Sequence, residues 1–274
     1  MITSPLVRDV RIAFDGTLSN PRLDHAETVV VAADGSWWCG GEAGQVFRIH
    51  GGQIEEIATT GGFTLGLDFG TDGTLYGCDM TAGVWRLAPG SSTPQFLPPP
   101  VDGHVLVTPN FPLVLPDGSL IVTDSGEHRV PRQALLRYDR DGNGSLWHPA
   151  VINFANGLAF DTTRGLLYVV ESYGPAVLRF EVDGDGRPVS GPDIVARFPG
   201  YIPDGVTVDR DGRIYVAMYE PSAILRIDLD GTVQELCRDE EATLLCHPTG
   251  IAMLGDDLLV ANLGRWHLTM IELA

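Results

Sequence analysis

The chain of 274 residues contains no lysine. Its 18 basic side chains are all arginine, set against 36 aspartates and glutamates for a formal charge of −18. Schiff-base chemistry and Ser-Lys nucleophile pairs need an amine and are excluded. Negative charge on this scale also argues against nucleic acid and anionic membrane surfaces as partners. No segment approaches the roughly 18 uninterrupted apolar residues of a membrane span. The start, MITSPLVRDVRIAFDG, has no basic stretch followed by an apolar one, so the expectation is a soluble, cytoplasmic protein. Cysteine is scarce: Cys39, Cys78, Cys237 and Cys246 form no C-x-x-C and have no histidines at zinc spacing, which signals neither a redox motif nor structural zinc. Cys237 and Cys246 are near enough in sequence to pair, although a reducing cytosol disfavours it. Also missing are G-x-S-x-G, H-E-x-x-H and a phosphate-binding glycine loop, so serine, zinc-protease and nucleotide-dependent hydrolysis are not indicated.

What is abundant is repetition. A short apolar strand, a turn rich in Asp and Gly and a second apolar strand recur at AADGSWW (32–38), GTDGTLY (70–76), LPDGSLI (115–121), TTRGLLY (162–168), DRDGRIY (209–215) and LGDDLLV (254–260). Taking Asp34, Asp72, Asp117, Arg164, Asp211 and Asp256 as markers, the intervals are 38, 45, 47, 47 and 45 residues. A third strand with an aliphatic-Arg-apolar pattern follows in five units: GQVFRI, GVWRL, ALLRY, AVLRF and AILRI. Asp-Gly between β-rich runs is a hairpin signal, and units of about 40–50 residues with about four strands each specify an all-β six-bladed β-propeller. We expect one domain over residues 1–274. The last unit lacks an outer strand; Val7–Phe14 alternates suitably and is expected to pair onto it, closing the ring.

Several motifs are decoys. DRDGNG (139–144) matches half of an EF-hand loop, but its twelfth position is Ala150 where a bidentate glutamate is required, so a hairpin turn is the expectation. VDGDG (182–186) reads the same way, and Asn143-Gly144-Ser145 is a sequon only in a secreted protein. His25, His50, His104 and His148 fall in turns or rims; His128 and His247 are placed to face a channel mouth.

Seven residues upstream of each marker, at the start of the innermost strand, stand Glu27, Leu65, Asn110, Asp204 and Thr249, with Asn156 eight upstream in the fourth unit. In a propeller these strand ends meet at one mouth. Asn and Asp favour strand-entry turns for local reasons, but Glu does not, and two carboxylates packed together repel unless a cation neutralises them. Glu27, Asp204, Asn110 and Asn156 form an all-oxygen set suited to a hard divalent ion, Ca²⁺ first, with Mg²⁺, Mn²⁺ or Zn²⁺ as alternatives. Glu171, Tyr173, Tyr219 and Asn262, at or just past the ends of second strands, are candidates to border the pocket.

With HAETVVVAADG, TPNFPLVLPDG, FANGLAFDTTRG and IPDGVTVDRDG in this order, the chain resembles the SMP-30/gluconolactonase/luciferin-regenerating enzyme family of six-bladed propellers over nearly its whole length. The resemblance implies that Glu27, Asn156 and Asp204 bind metal, that Asn110 contacts substrate or metal, and that Asp204 is the catalytic base. The family's sugar lactonases carry Arg and Asp where this chain has Thr108 and Phe111, which implies a less polar lactone or ester. The expected function is therefore metal-dependent hydrolysis of a small-molecule lactone, with Asn110, Thr108, Phe111, His128, Glu171 and Tyr219 around the substrate. The rivals are phosphotriester or ester hydrolysis at the same metal, a metal-free condensing propeller of the strictosidine-synthase type, and a non-enzymatic binding platform.

Overall fold

The computed structural model describes residues 1–274 and contains strands but no α-helix; no helix is long and apolar enough to cross a membrane. Six antiparallel sheets form the ring, each a meander whose innermost strand comes first in sequence: Val29–Val31, Thr64–Phe69, Pro109–Val114, Ala155–Asp161, Ile202–Val208 and Pro248–Leu254. These are the six predicted units, in the predicted phase. Every marker turn joins a first strand to a second. In the first three blades the marker aspartate accepts the N–H two residues on (Asp34 from Ser36 at 2.9 Å, Asp72 from Thr74 at 2.9 Å, Asp117 from Ser119 at 3.0 Å), and glycine at φ near 80° completes the reversal at Gly35. DRDGNG is likewise a turn, with Asp139 accepting the N–H of Asp141 and Asn143 at 2.9 Å.

Packing follows from the period of two. In the second strand of the fourth blade, Leu166–Glu171, Leu167 and Val169 face the third blade while Tyr168 and Val170 face the fifth. The same alternation in every blade produces six buried apolar clusters, one per interface between neighbours, and no core on the axis. The arginine repeated in the third strands reaches back to the marker turn in two blades: Arg48 pairs with Asp34 at 3.0 Å and Arg137 with Asp117 at 2.6 Å, bracing the turn of their own blade. The axis is a channel whose far end is a cavity of about 250 Å³ lined by side chains of all six inner strands, Val31, Phe69, Phe111, Phe160, Val206 and Met253 among them. Asp68 stands there, its carboxyl pushed up to about 6 by burial against the opposing pull of N–H bonds from Val114 and Phe69.

The ring closes as expected. Val7–Asp15 pairs with His267–Leu273 and supplies the outer strand of the sixth blade. One strand was not anticipated: Ile2–Thr3 continues past that pairing to add a fifth strand to the fifth blade, opposite Arg238 and Cys237. The first 15 residues therefore bridge two blades. All four cysteines are buried and unpaired, so Cys237 and Cys246 form no disulfide; burial pushes the Cys39 and Cys237 thiols up to about 12, where they are inert. Deleting residues 1–15 exposes the open edge of the sixth blade, and the expected result in scanning calorimetry is a broad, non-two-state transition with a midpoint at least about 10 °C lower; an unchanged sharp melt would overturn this account of closure.

Candidate active site at the channel mouth

The inner strands do not pair evenly along their length. In five blades the ladder to the second strand skips residues at the same level: between Thr64 and Leu67, Pro109 and Pro112, Ala155 and Leu158, Pro203 and Val206, and Pro248 and Ile251. The skipped residues include Leu65, Asn110, Asn156, Asp204 and Thr249, the positions at which the sequence repeats present their oxygens. A bulge of this kind releases a side chain from the pleat and re-aims it, here toward the axis.

The residue after the bulged position is glycine in four blades, and close approach requires it. A Cβ on Gly157 would lie 2.7 Å from the carbonyl oxygen of Asp204, and one on Gly66 2.6 Å from that of Asn110. Gly205 and Gly250 meet Thr249 and Thr28 of the next blade in the same manner. Hydrogen bonds then stitch neighbouring inner strands at this level. Ser125 Oγ donates to the Ala155 carbonyl at 2.6 Å, Ser172 Oγ to the Pro203 carbonyl at 2.7 Å, and Gly250 N–H to the Glu27 carbonyl at 2.8 Å.

Crowding sets the electrostatics. Burial pushes the Glu27 carboxyl well above the usual range, and the Asp204 charge pushes it further, with Glu42 adding to the effect. Burial likewise raises Asp204 to about 7, against the opposing pull of a hydrogen bond from the Asn156 amide. No arginine is among the groups acting on either carboxyl. Glu27 Oε2 is buried with no hydrogen-bond partner, although a buried acceptor of this kind normally has one. Asn156 is buried and its Nδ2 donates to Ser172 Oγ at 3.3 Å, which ties it to the strand carrying Asp204. Two uncompensated carboxyls and a neighbouring amide fit a hard divalent cation. Asn110 is buried in the equivalent position of the third blade.

Other predicted contacts have different employment. Glu171 Oε1 accepts the Asn153 N–H at 2.8 Å, and Asn262, fully buried, accepts the Cys246 N–H at 3.0 Å while donating to His267 O and Thr269 Oγ1. Asp124 does the same in the third blade, accepting from Thr108 N–H at 2.7 Å. Each of these residues ends a second strand and pins the loop that delivers the innermost strand of its own blade. Thr108 spends its hydroxyl on the Gly126 carbonyl at 3.0 Å. Phe111 packs against the third-blade core and lines the channel below the mouth.

The rim is aromatic. Exposed His128 accepts or donates through Nδ1 to the Tyr173 hydroxyl at 3.0 Å, and Tyr173 lies close enough to Asp204 for that charge to raise its hydroxyl pKa, behind the larger effect of burial. Tyr219 is raised chiefly by burial and then by Glu27 and Asp204, and it stacks on His247. Sequence reading missed Phe154, whose ring meets both His128 and Tyr173, and the Asp24, His25 and Glu42 trio beside the mouth, whose ligand atoms lie within 4.8 Å of one another. A signal for the close approach was present in the glycine that follows Leu65, Asn156, Asp204 and Thr249.

The model of the SMP-30/Gluconolactonase/LRE-like region matches residues 37–258. A pentonolactonase of Haloferax volcanii is 32% identical over 126 residues, 45% of this chain and 42% of that protein. A strictosidine synthase-like protein of Arabidopsis thaliana is 23% identical over 266 residues, covering 80% of this chain and 69% of its own length. A solved gluconolactonase from Xanthomonas campestris superposes with a TM-score of 0.79 at 19% identity over 100% of this chain and 94% of its own, a likeness of fold. The first curated relatives are matched over only 37% and 32% of their length.

The raised carboxyls fix a pH dependence for the metal-free chain. The folded state keeps protons that the unfolded chain releases near pH 4, so stability falls as pH rises from about 4 through about 7, where Asp204 gives up its proton, and the raised Glu27 carboxyl acts in the same direction. In chelator at pH 8, Asp204→Asn is expected to be more stable than the native protein by about 1–3 kcal/mol, an advantage that shrinks by pH 5. Denaturant melts at the two pH values measure it; an Asn variant no more stable at pH 8 would refute the crowding.

Proposed function

Because this chain belongs to the SMP-30/Gluconolactonase/LRE-like family, whose model spans residues 37–258, we propose that it is a lactonase that hydrolyses a small-molecule lactone at the channel mouth with a divalent cation, Ca²⁺ first. The observation that carries the reading is the pairing of Glu27 and Asp204 beside Asn156 with no cationic side chain to balance them. Glu27, Asn156 and Asp204 are the residues that would hold the ion, with Asn110 as a further oxygen ligand or substrate contact. The ion, when bound, supplies Lewis-acid polarisation of the substrate carbonyl and offsets negative charge as it develops.

The chain's own residues supply the rest. Asp204 is the general base: its carboxylate takes a proton from the attacking water as the oxygen adds to the ring carbonyl. The ester C–O bond then breaks, the ring oxygen takes up the proton that Asp204 had accepted, and the product is a hydroxy acid with the base regenerated. Asn156 acts on the Asp204 carboxyl to lower its pKa and donates to Ser172 Oγ, the hydroxyl that also grips the start of the strand carrying Asp204. Tyr173 and Tyr219 both lie close enough to the base for its charge to act on their hydroxyls, behind the larger effect of burial.

Asp204→Asn is expected to fold and to lose about 10²–10⁴-fold in kcat, and EDTA is expected to remove activity that added Ca²⁺ restores. A pH-stat assay on a panel of lactones, aryl esters and phosphotriesters reads both. Turnover within tenfold of the native rate in the Asn variant would sink Asp204 as base, activity indifferent to EDTA would sink the metal, and phosphotriesters outrunning every lactone would move the substrate class.

A further inference from the structure

Only four non-glycine residues have positive φ, namely Arg129, Phe154, Ala242 and His247, and all four lie in loops on the mouth side of the ring. Such a backbone is strained and persists where the surroundings impose it, most often around binding sites. Two of the four are equivalent by repeat: Phe154 (φ 66°) lies two residues before Asn156, and His247 (φ 48°) two before Thr249. They therefore flank, from the fourth and sixth blades, the strand that carries Asp204.

Each presents a ring to a tyrosine. Phe154 meets Tyr173 at 5.2 Å between centroids and 60°, and Tyr173 is fixed from its other side by the hydrogen bond and the 4.7 Å edge contact with His128. His247 stacks on Tyr219 at 4.5 Å and 24°, its N–H anchored on Ser222 Oγ at 3.0 Å and its Nδ1 beside the Tyr219 carbonyl at 3.1 Å. Three polar groups of the rim already have a protein partner: the Thr108 hydroxyl donates to the Gly126 carbonyl, Glu171 Oε1 accepts the Asn153 N–H, and the Tyr173 hydroxyl is paired with His128. A hydroxyl of a polyhydroxylated ring placed against these three groups competes with bonds already made, and a hydroxyl left unpaired there costs more than a missing apolar contact.

We infer that the Phe154–Tyr173 and Tyr219–His247 pairs are the two walls of a subsite for a flat aryl substituent on the lactone, so that the protein prefers aryl-substituted lactones to sugar lactones. This rests on the lactonase reading above. Stacking against two such walls is expected to raise kcat/KM for γ-phenyl-γ-butyrolactone about tenfold over the γ-cyclohexyl compound, and further over glucono-δ-lactone.

The test measures those three kcat/KM values in the native protein, Tyr219→Phe and Tyr219→Leu, together with calorimetric binding of the phenyl lactone to Asp204→Asn with and without Tyr219→Leu. A phenyl-to-cyclohexyl ratio near ten that survives in Tyr219→Phe and falls toward one in Tyr219→Leu supports the walls. A native ratio near one, or preference for the sugar lactone, overturns them while leaving the lactonase reading intact. If no lactone turns over, phenyl-lactone binding that Tyr219→Leu weakens about tenfold keeps the subsite and discards the hydrolase; no binding at all overturns the subsite.

Discussion

The close approach of the inner strands at one level of the ring is the constraint on which the mouth depends. Adjacent backbones come so near there that four blades accept only glycine after the bulged residue, and the side chain just before it has nowhere to point but the axis. Where that side chain is Leu65 or Thr249 little follows. Where it is Asp204, with Glu27 near it on the first blade, two carboxyls are held in a space too small and too dry for both charges, and the fold alone does not relieve them. The tension belongs to the geometry of six converging strands.

Two sets of polar residues hold that geometry, and they sit side by side at the ends of the second strands. Asp124 and Glu171 each pin the entry loop of their own blade, while the next residue, Ser125 or Ser172, grips the entry of the blade that follows. One position fixes the height of a strand within its blade and its neighbour fixes the height between blades. Ser172 goes further, since the same hydroxyl that donates to the Pro203 carbonyl accepts from Asn156, so the register of the scaffold and the aim of a site residue rest on one atom.

Periodicity made the architecture legible. Turns rich in Asp and Gly at 38–47-residue intervals, the strand phase and the outer strand from Val7–Phe14 follow from spacing alone, and the candidate ligands follow from counting back along equivalent strands. What could not be read was which polar residues are already spoken for. Glu171 and Asn262 look in sequence like functional groups at a rim, yet they bond backbone N–H groups at positions 153 and 246, a pairing set by three-dimensional loop paths and not by spacing. Phe154 escaped for the converse reason: its importance lies in a left-handed backbone and in contacts with residues 128 and 173, none of which leaves a mark in a one-dimensional pattern. Ile2–Thr3 was missed because two residues are too short to show alternation.

Glu27 and Asp204 belong to the first and fifth blades, and the inner strand between them on the short way round the ring is that of the sixth, whose Gly250 N–H donates to the Glu27 carbonyl. The pair thus straddles the seam where the ring is sealed. As the chain leaves the ribosome, four complete blades and most of a fifth can form without bringing these two carboxyls together, because the sixth has yet to be made. The repulsion between them is postponed until the sheet that seats them is in place, and the nascent protein folds nearly to completion before the two carboxyls meet.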